Sequence, residues 1–404
     1  MERAKSQQSQ PLFVPATEGI KYAGSKLKLL PHIIPMVCGL RDVGTVIDGF
    51  SGSTRVSQAL YQTGRFRVVS NDISAWSEVF GRCYLQAAEP AAYYQHYIDR
   101  LNALPPREGW FTAHYGGPDD LSSLAEGGQK FPFQRKNTMR LDAMREQIAQ
   151  WRNSGEISRT TECVLLASLM LALDRVDSTI GHFSSYLKQW SKRSYADLTL
   201  VLPRLCYDPQ APQAEVVKGD IFDLLSSLNN APKHQRVSAN ELSPQSGGAG
   251  GGLLAYYDPP YGSNNTKMPS SRVRYASYYH LWTSVVLNDH PAVFGRAARR
   301  EDSRDRVSAS VFEDFHTAPD GHHLAMDAID RLLAATPARY VLLSYSSSGR
   351  ATRDELLEVL HANGRLRQTL SLDHANHVMS RMQWTRRWLN ADEEHKEYLF
   401  LLEK

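Results

Sequence analysis

Two periodicities alternate along the first eighty residues. In "SKLKLLPHIIPMV" (Ser25–Val37) apolar positions recur every three or four residues, the spacing of one helix face. "GTVID" (Gly44–Asp48) is a β-branched run that ends on an acid, and small residues, "GFSGST", follow: a strand, then a tight loop. "RVSQALYQTG" (Arg55–Gly64) returns to helical spacing and is stopped by a glycine. "FRVVSNDIS" (Phe66–Ser74) reads as a second strand, closed by Asp72. Strand, helix and strand within about 30 residues make a βαβ unit, whose two strands lie parallel. The same order returns late in the chain. "VVKGDIFDLL" (Val216–Leu225) has a strand ending at Asp220, and "LLAYYDPPY" and "ARYVLLSYSSSG" are further strand-then-loop units. "HKEYLFLLEK" predicts a last strand.

The middle of the chain is different. Residues 105–130 are rich in Pro, Gly and Asp and read as loops. "QRKNTMRLDAMREQIAQW" is helical in spacing, and "CVLLASLMLALD" (Cys163–Asp174) is apolar enough for a buried helix. These patterns predict an α/β catalytic domain from residues 19–80 and 216–404, interrupted by a mostly helical insertion over 81–215. Residues 1–18 are expected to be a flexible N-terminus, and the Gly/Ser-rich stretch 238–252 a flexible loop.

Composition narrows the class without selecting a function. The 404 residues are 42% hydrophobic and 22% charged, with a formal net charge of +3, which is compatible with nucleic acid and far from proof of it. The four cysteines are widely spaced with no C-x-x-C pair, so neither a metal site nor a disulfide framework is expected. No apolar leader and no run near 18 apolar residues is present, so the expectation is a cytoplasmic protein without a membrane span.

Three stretches carry chemistry. "DGFSGST" (Asp48–Thr54) puts small residues after a strand, where ligands of doubly wound sheets bind, and Asp72 ends the next strand. A carboxylate there suits a ribose diol, although a plain turn with a capping acid explains the stretch equally well. G-x-G-x-x-G is absent, which argues for a nucleoside ligand without a pyrophosphate. "KYAGSK" (Lys21–Lys26) precedes a helix; Lys26 could pair a ligand carboxylate and Tyr22 could cover a flat ring, or the stretch is a capped helix with a solvated lysine. "DPPY" (Asp258–Tyr261) is the sharpest. Two prolines stiffen the backbone and leave carbonyls free to accept, and Asp258 accepts as well. Acceptors fixed at a strand end suit an exocyclic amine, and Tyr261 offers a ring for base stacking.

Together these segments resemble, in order, the D12 class of adenine-specific DNA methyltransferases. "KYAGSK" is similar to that family's N-terminal cofactor segment, "DGFSGST" to its D-x-F-x-G-x-G loop, and "SND" to its acidic second strand. "GDIFD" (Gly219–Asp223) and "DPPY" resemble its later motifs. One position departs: the last loop glycine is Thr54, which would be strained if the site needs positive φ. The resemblance implies a Rossmann-like methyltransferase sheet, S-adenosylmethionine as cofactor, double-stranded DNA as partner, and N6 of a flipped-out adenine as methyl acceptor. It assigns Tyr22, Gly24, Lys26, Asp48, Phe50, Ser51, Gly52, Asp72, Asp220 and Ile221 to the cofactor. Asp258, Pro259, Pro260 and Tyr261 go to the target base, with no metal. It further implies a restriction–modification setting with a possible cognate endonuclease.

Arg135, Lys136, Asn137 and Arg140 in the insertion are expected to contact DNA, as are Arg272, Tyr279 and His280 in a loop closing over the base. Arg386 and Arg387 lie in a basic–aromatic stretch, "RMQWTRRW", and "GRAARREDSRDR" (Gly295–Arg306) is a second basic patch; a solvated face explains either patch as well. Rival readings are N4-cytosine methylation, which tends to go with Ser at position 258, and RNA or protein amide methylation, which tends to go with Asn. A degenerate fold kept for binding is a further rival.

Overall fold

The computed structural model describes residues 14–118, 122–230, 251–262, 275–304, 310–373 and 396–404. Seven strands form one sheet: β1 (Val43–Asp48), β2 (Arg67–Asp72), β3 (Glu215–Lys218), β4 (Gly252–Tyr257), β5 (Tyr340–Ser346), β6 (Arg365–Asp373) and β7 (Lys396–Glu403). Their order is β6-β7-β5-β4-β1-β2-β3. The five strands from β5 to β3 are parallel, while β7 runs antiparallel to both β5 and β6. From β1 the chain winds outward through β2 and β3, then crosses to β4 on the other side of β1. That reversal between β1 and β4 is the place where α/β sheets bind ligands.

Alternation along β4 explains why "LLAYY" reads as an unbroken apolar run. Leu254 and Tyr256 enter the core cluster on one face, and Ala255 and Tyr257 enter the cluster on the other. A strand covered on both faces has no solvent side to mark with polar residues. One face is covered by α1 (Leu30–Cys38), α2 (Arg55–Tyr61) and α3 (Ala75–Gln86), the other by α8 (Ile221–Asn230), α11 (Leu324–Ala335) and α12 (Arg353–Asn363).

The middle of the chain adds α4 (Ala91–Asn102), α5 (Trp110–Tyr115), α6 (Arg135–Asn153) and α7 (Arg159–Val176). Its apolar residues share the core cluster of α1–α3, and α7 packs along α3. Ser158 caps α7 by accepting from the Thr161 N–H. The stretch 105–130, expected as loop, contains α5. Asp142 holds the start of that helix from α6, accepting from the N–H groups of Phe111 (2.9 Å) and Thr112 (2.8 Å) and from the Thr112 hydroxyl (2.6 Å). A cap supplied 30 residues away leaves no local signal.

Two expected flexible segments fall mostly outside the described residues. Of 1–18, residues 14–18 are described, and Glu18 exchanges hydrogen bonds with the Gln58 side chain of α2 (3.0 and 2.8 Å). Of 238–252, only Gly251 and Gly252 are described, and Gly252 already opens β4. The stretch "SSRVRYASYYHLW" (Ser270–Trp282), which carries Arg272, Tyr279 and His280 and was expected as a loop, is helical where described: α9 (Tyr275–Tyr278) leads into α10 (His280–Leu287).

Candidate active site

A cavity of about 630 Å³ opens at the carboxyl ends of β1, β2, β3 and β4. Asp48 ends β1 and is buried. One carboxylate oxygen accepts from the Ser57 N–H (3.1 Å) and hydroxyl (2.6 Å), which ties the strand to the first turn of α2. The other oxygen, Oδ1, is buried with no hydrogen-bond partner. Burial pushes the Asp48 pKa up to about 7.

The loop from β1 to α2 depends on two glycines. A Cβ on Gly49 would stand 2.6 Å from the Tyr257 ring, and Gly52 has φ +49° with the Tyr22 ring 3.1 Å from where its Cβ would be. Thr54, the departure from the family pattern, does adopt positive φ, at 59°. A β-branched residue in the left-handed region costs about 1–2 kcal/mol. The loop turns as a glycine loop would: Thr54 N–H donates to Ser51 O (2.6 Å), and its buried hydroxyl accepts from Gln58 Nε2 (3.1 Å), which offsets part of the strain.

Asp72 holds this loop from β2. Its two oxygens accept from the N–H groups of Gly52 and Ser74, both at 2.8 Å, and burial raises its pKa. Across the cavity, Tyr22 packs against Trp76 (5.5 Å between ring centroids), Tyr279 (4.8 Å) and Tyr275 (5.7 Å). Ile221, the first residue of α8, packs near Gly49, and Asp220 accepts from Phe222 N–H (2.8 Å).

At the end of β4, Asp258 pairs with Lys26 at 2.8 Å, and the Tyr261 hydroxyl donates to its other oxygen. Burial pushes Asp258 up to about 6, with Lys26 and Tyr261 holding it down against a larger rise. The Lys26 ammonium also lies 5.0 Å from the Tyr261 ring centroid.

All ten residues expected to hold a cofactor line this cavity, together with Asp258 and Pro260. Pro259 and Tyr261 are not among its lining residues. Tyr261 packs on Tyr345 (4.7 Å) and anchors Asp258, so the expected stacking plate is a support for the acid. Among the described residues, the aromatic wall comes instead from Tyr22, Trp76, Tyr275 and Tyr279, with Phe50 and Phe312 opposite. Trp76 was detectable: it opens the helix directly after the Asp72 strand. Phe312 was not, because only the fold brings it to Phe50.

The expected DNA contacts fare unevenly. Asn137 is fully buried, donating to Ala196 O (2.9 Å) and accepting from Leu198 N–H (2.8 Å); it staples residues 194–198 to α6. Arg140 donates to Leu198 O (2.8 Å) and Asn102 O (3.1 Å) in the same staple. Tyr279 is buried, its hydroxyl accepting from Ala23 N–H (2.7 Å), and His280 is buried on Phe183 O (2.9 Å). Arg135 and Lys136 are exposed but paired with Glu108 and Asp197. Arg272, Arg386 and Arg387 lie outside the described residues. Asn137→Ala is therefore expected to lower stability by about 1–3 kcal/mol, since it orphans buried backbone groups. DNA affinity per folded molecule should hold; thermal melting and a binding titration separate the two effects.

Among the described residues no group of His, Cys, Asp or Glu side chains is placed to hold a metal, and no helix is long and apolar enough to cross a membrane.

A mostly parallel sheet with one antiparallel insertion, and a cavity at its switch point walled by β1, β2 and DPPY, define a Rossmann-like methyltransferase. The sequence profile of the D12 class N6 adenine-specific DNA methyltransferases matches residues 22–206. Type II methyltransferase M.NlaIII of Neisseria lactamica is 25% identical over 349 residues, 86% of this chain and 89% of that protein. Modification methylase StsI of Streptococcus sanguinis is 26% identical over 353 residues, 84% of this chain and 46% of that protein. Type II methyltransferase M.FokI of Planomicrobium okeanokoites is 23% identical over 399 residues, 95% of this chain and 53% of that protein. The chain thus spans most of the first relative and about half of the other two. Over residues 22–206 the chain is thus similar to the D12 class of N6 adenine-specific DNA methyltransferases, and over most of its length to type II DNA methyltransferases.

Proposed function

We propose that this chain transfers a methyl group from S-adenosylmethionine to N6 of a flipped-out adenine in double-stranded DNA. It would act in the cytoplasm as the modification enzyme of a restriction–modification system with a cognate endonuclease. The observation that carries this reading is the half-buried Asp258 carboxylate, fixed by Lys26 and Tyr261 in the wall of the same cavity as Asp48 and Asp72.

The cavity's chemistry fits the cofactor. The unpartnered Oδ1 of Asp48 suits an ammonium group, and the remaining lone pairs of Asp72 suit a ribose diol. Tyr22 and Trp76 supply flat apolar surface, and Asp220 and Ile221 an adenine edge and face. When bound, S-adenosylmethionine supplies a methyl group already activated on a sulfonium. The protein's task is then positioning and electrostatics. Asp258 and the Pro259 carbonyl accept from the two N6 hydrogens and aim the lone pair. Lys26 keeps Asp258 charged, and Tyr261 fixes its orientation. Residues 19–80 and 216–404 would carry this chemistry, and the 81–215 region would hold DNA.

Asp258 must be ionised to accept. With its pKa near 6, transfer should fall about tenfold per pH unit below that value. The stability contribution has the opposite sign. An acid whose folded pKa is raised binds its proton more tightly in the fold, so Asp48 and Asp258 destabilise progressively as pH rises from about 4 through 7. Loss of activity at pH 5 should thus occur without unfolding; a flat single-turnover rate from pH 8 to pH 5 would contradict the role of Asp258.

Incubation with methyl-labelled S-adenosylmethionine and a mixture of duplex DNA, RNA and protein tests the substrate class. Label should enter duplex DNA. Label confined to RNA or protein, or no label together with no cofactor binding, overturns the reading.

A further inference from the structure

A second cleft, of about 310 Å³, lies between the insertion and a short hairpin (Val293–Phe294 with Arg299–Arg300). Lys130, Ser184 and Ser185 line it from the insertion, and Arg296 and Arg299 from the hairpin. The hairpin is built to hold a shape. Its turn contains two residues at positive φ, Gly295 (68°) and Ala298 (49°). Two buried tyrosines of the middle region fix it: the Tyr186 hydroxyl donates to Ala297 O and the Tyr115 hydroxyl to Ala298 O, both at 2.8 Å.

Neighbouring residues of a strand point to opposite faces, and here that separates two roles. Arg300 turns into the methyl-transfer cavity, where Asp289 (2.7 Å) and Asp302 (2.8 Å) neutralise it. Arg299 turns into the second cleft, lies over the Phe294 ring at 5.0 Å, and bonds Ser303. Lys130 and Arg296 have no acidic partner among the described residues. The cleft therefore gathers three cations and the Ser185 hydroxyl, with the Ser184 hydroxyl bonded to His182 (2.8 Å), one residue along the chain from the cavity that would take the target base.

The aromatic rings at the cleft offer no stacking platform. Tyr186 is buried with its hydroxyl bonded, and Phe294 is covered by Arg299 and by Arg304 at 4.1 Å. Cations and hydroxyls without a free ring face recognise phosphates and sugars, not bases. We propose that this cleft binds the sugar–phosphate backbone of the substrate DNA beside the flipped nucleotide, holding the duplex in register without reading sequence. The inference rests on the DNA-methylation reading above.

The test is the double variant Lys130→Gln/Arg296→Gln, Arg296 exposed and Lys130 half-buried, compared with Arg365→Gln on the far edge strand. Binding to labelled, sheared plasmid DNA is followed by fluorescence anisotropy across a salt series. Each lost phosphate contact lowers the slope of log affinity against log salt by about 0.9. The double variant should lose about twice that and weaken binding to all duplexes alike, with S-adenosylmethionine affinity unchanged by calorimetry; the control variant should match the parent. A parent that binds and methylates DNA, with an unchanged slope in the double variant, overturns the cleft alone. A parent that neither binds nor methylates DNA overturns both readings.

Discussion

Asp258→Ala is expected to reduce methyl transfer by at least about 10³-fold while leaving cofactor affinity within a few-fold of the parent. The alanine removes an acceptor that engages the amine as it attacks, so the loss belongs to the chemical step. It also strands Lys26, whose side chain is 7% exposed and whose acidic partner is Asp258. Breaking a buried pair from one side costs about 3–5 kcal/mol, so a lower melting temperature should accompany the lost activity. Asp258→Asn separates the effects. Its amide keeps one acceptor oxygen and the shape of the corner, so the transfer rate should fall between parent and alanine with a smaller stability loss. Single-turnover rates with calorimetry of cofactor binding decide this; an alanine variant with near-parental rate contradicts the assigned role.

The second large effect falls on binding. Asp72→Ala should weaken S-adenosylmethionine by about 10²-fold or more, because the carboxylate does two things at once. It offers charged acceptors to a ribose diol, each such hydrogen bond worth about 1.5–3 kcal/mol. It also pins the cofactor loop through the Gly52 and Ser74 N–H groups. At saturating cofactor much of the transfer rate should return, unlike the Asp258 variants. An unchanged dissociation constant would remove Asp72 from the site.

The sheet and its cavity were legible because several apolar strand runs are followed by acids. Asp48, Asp72, Asp220 and Asp258 all follow apolar runs, and the fold gathers those ends on one edge of the sheet. What stayed hidden depends on partners distant in sequence. The Lys26–Asp258 pair joins residues far apart in the sequence, and Tyr261 was read as a base platform because its contact with Tyr345 is tertiary. Asn137 looked like a polar group free for DNA. Its partners, Ala196 and Leu198, come from a segment with no periodic signal, so its burial could not be read from its own helix. Thr54 shows the limit in the other direction: the sequence raised the right question about positive φ, and the structure answers that the loop keeps the conformation with a hydroxyl bond to Gln58.

The proposed function turns on the Asp258 corner gripping the N6 amine of adenine. Its most direct test is nucleoside mass spectrometry of DNA incubated with the protein and S-adenosylmethionine. N6-methyladenine is the expected product, absent from DNA treated with Asp258→Ala. N4-methylcytosine in place of N6-methyladenine, or unmodified DNA from a protein that binds the cofactor, would contradict it.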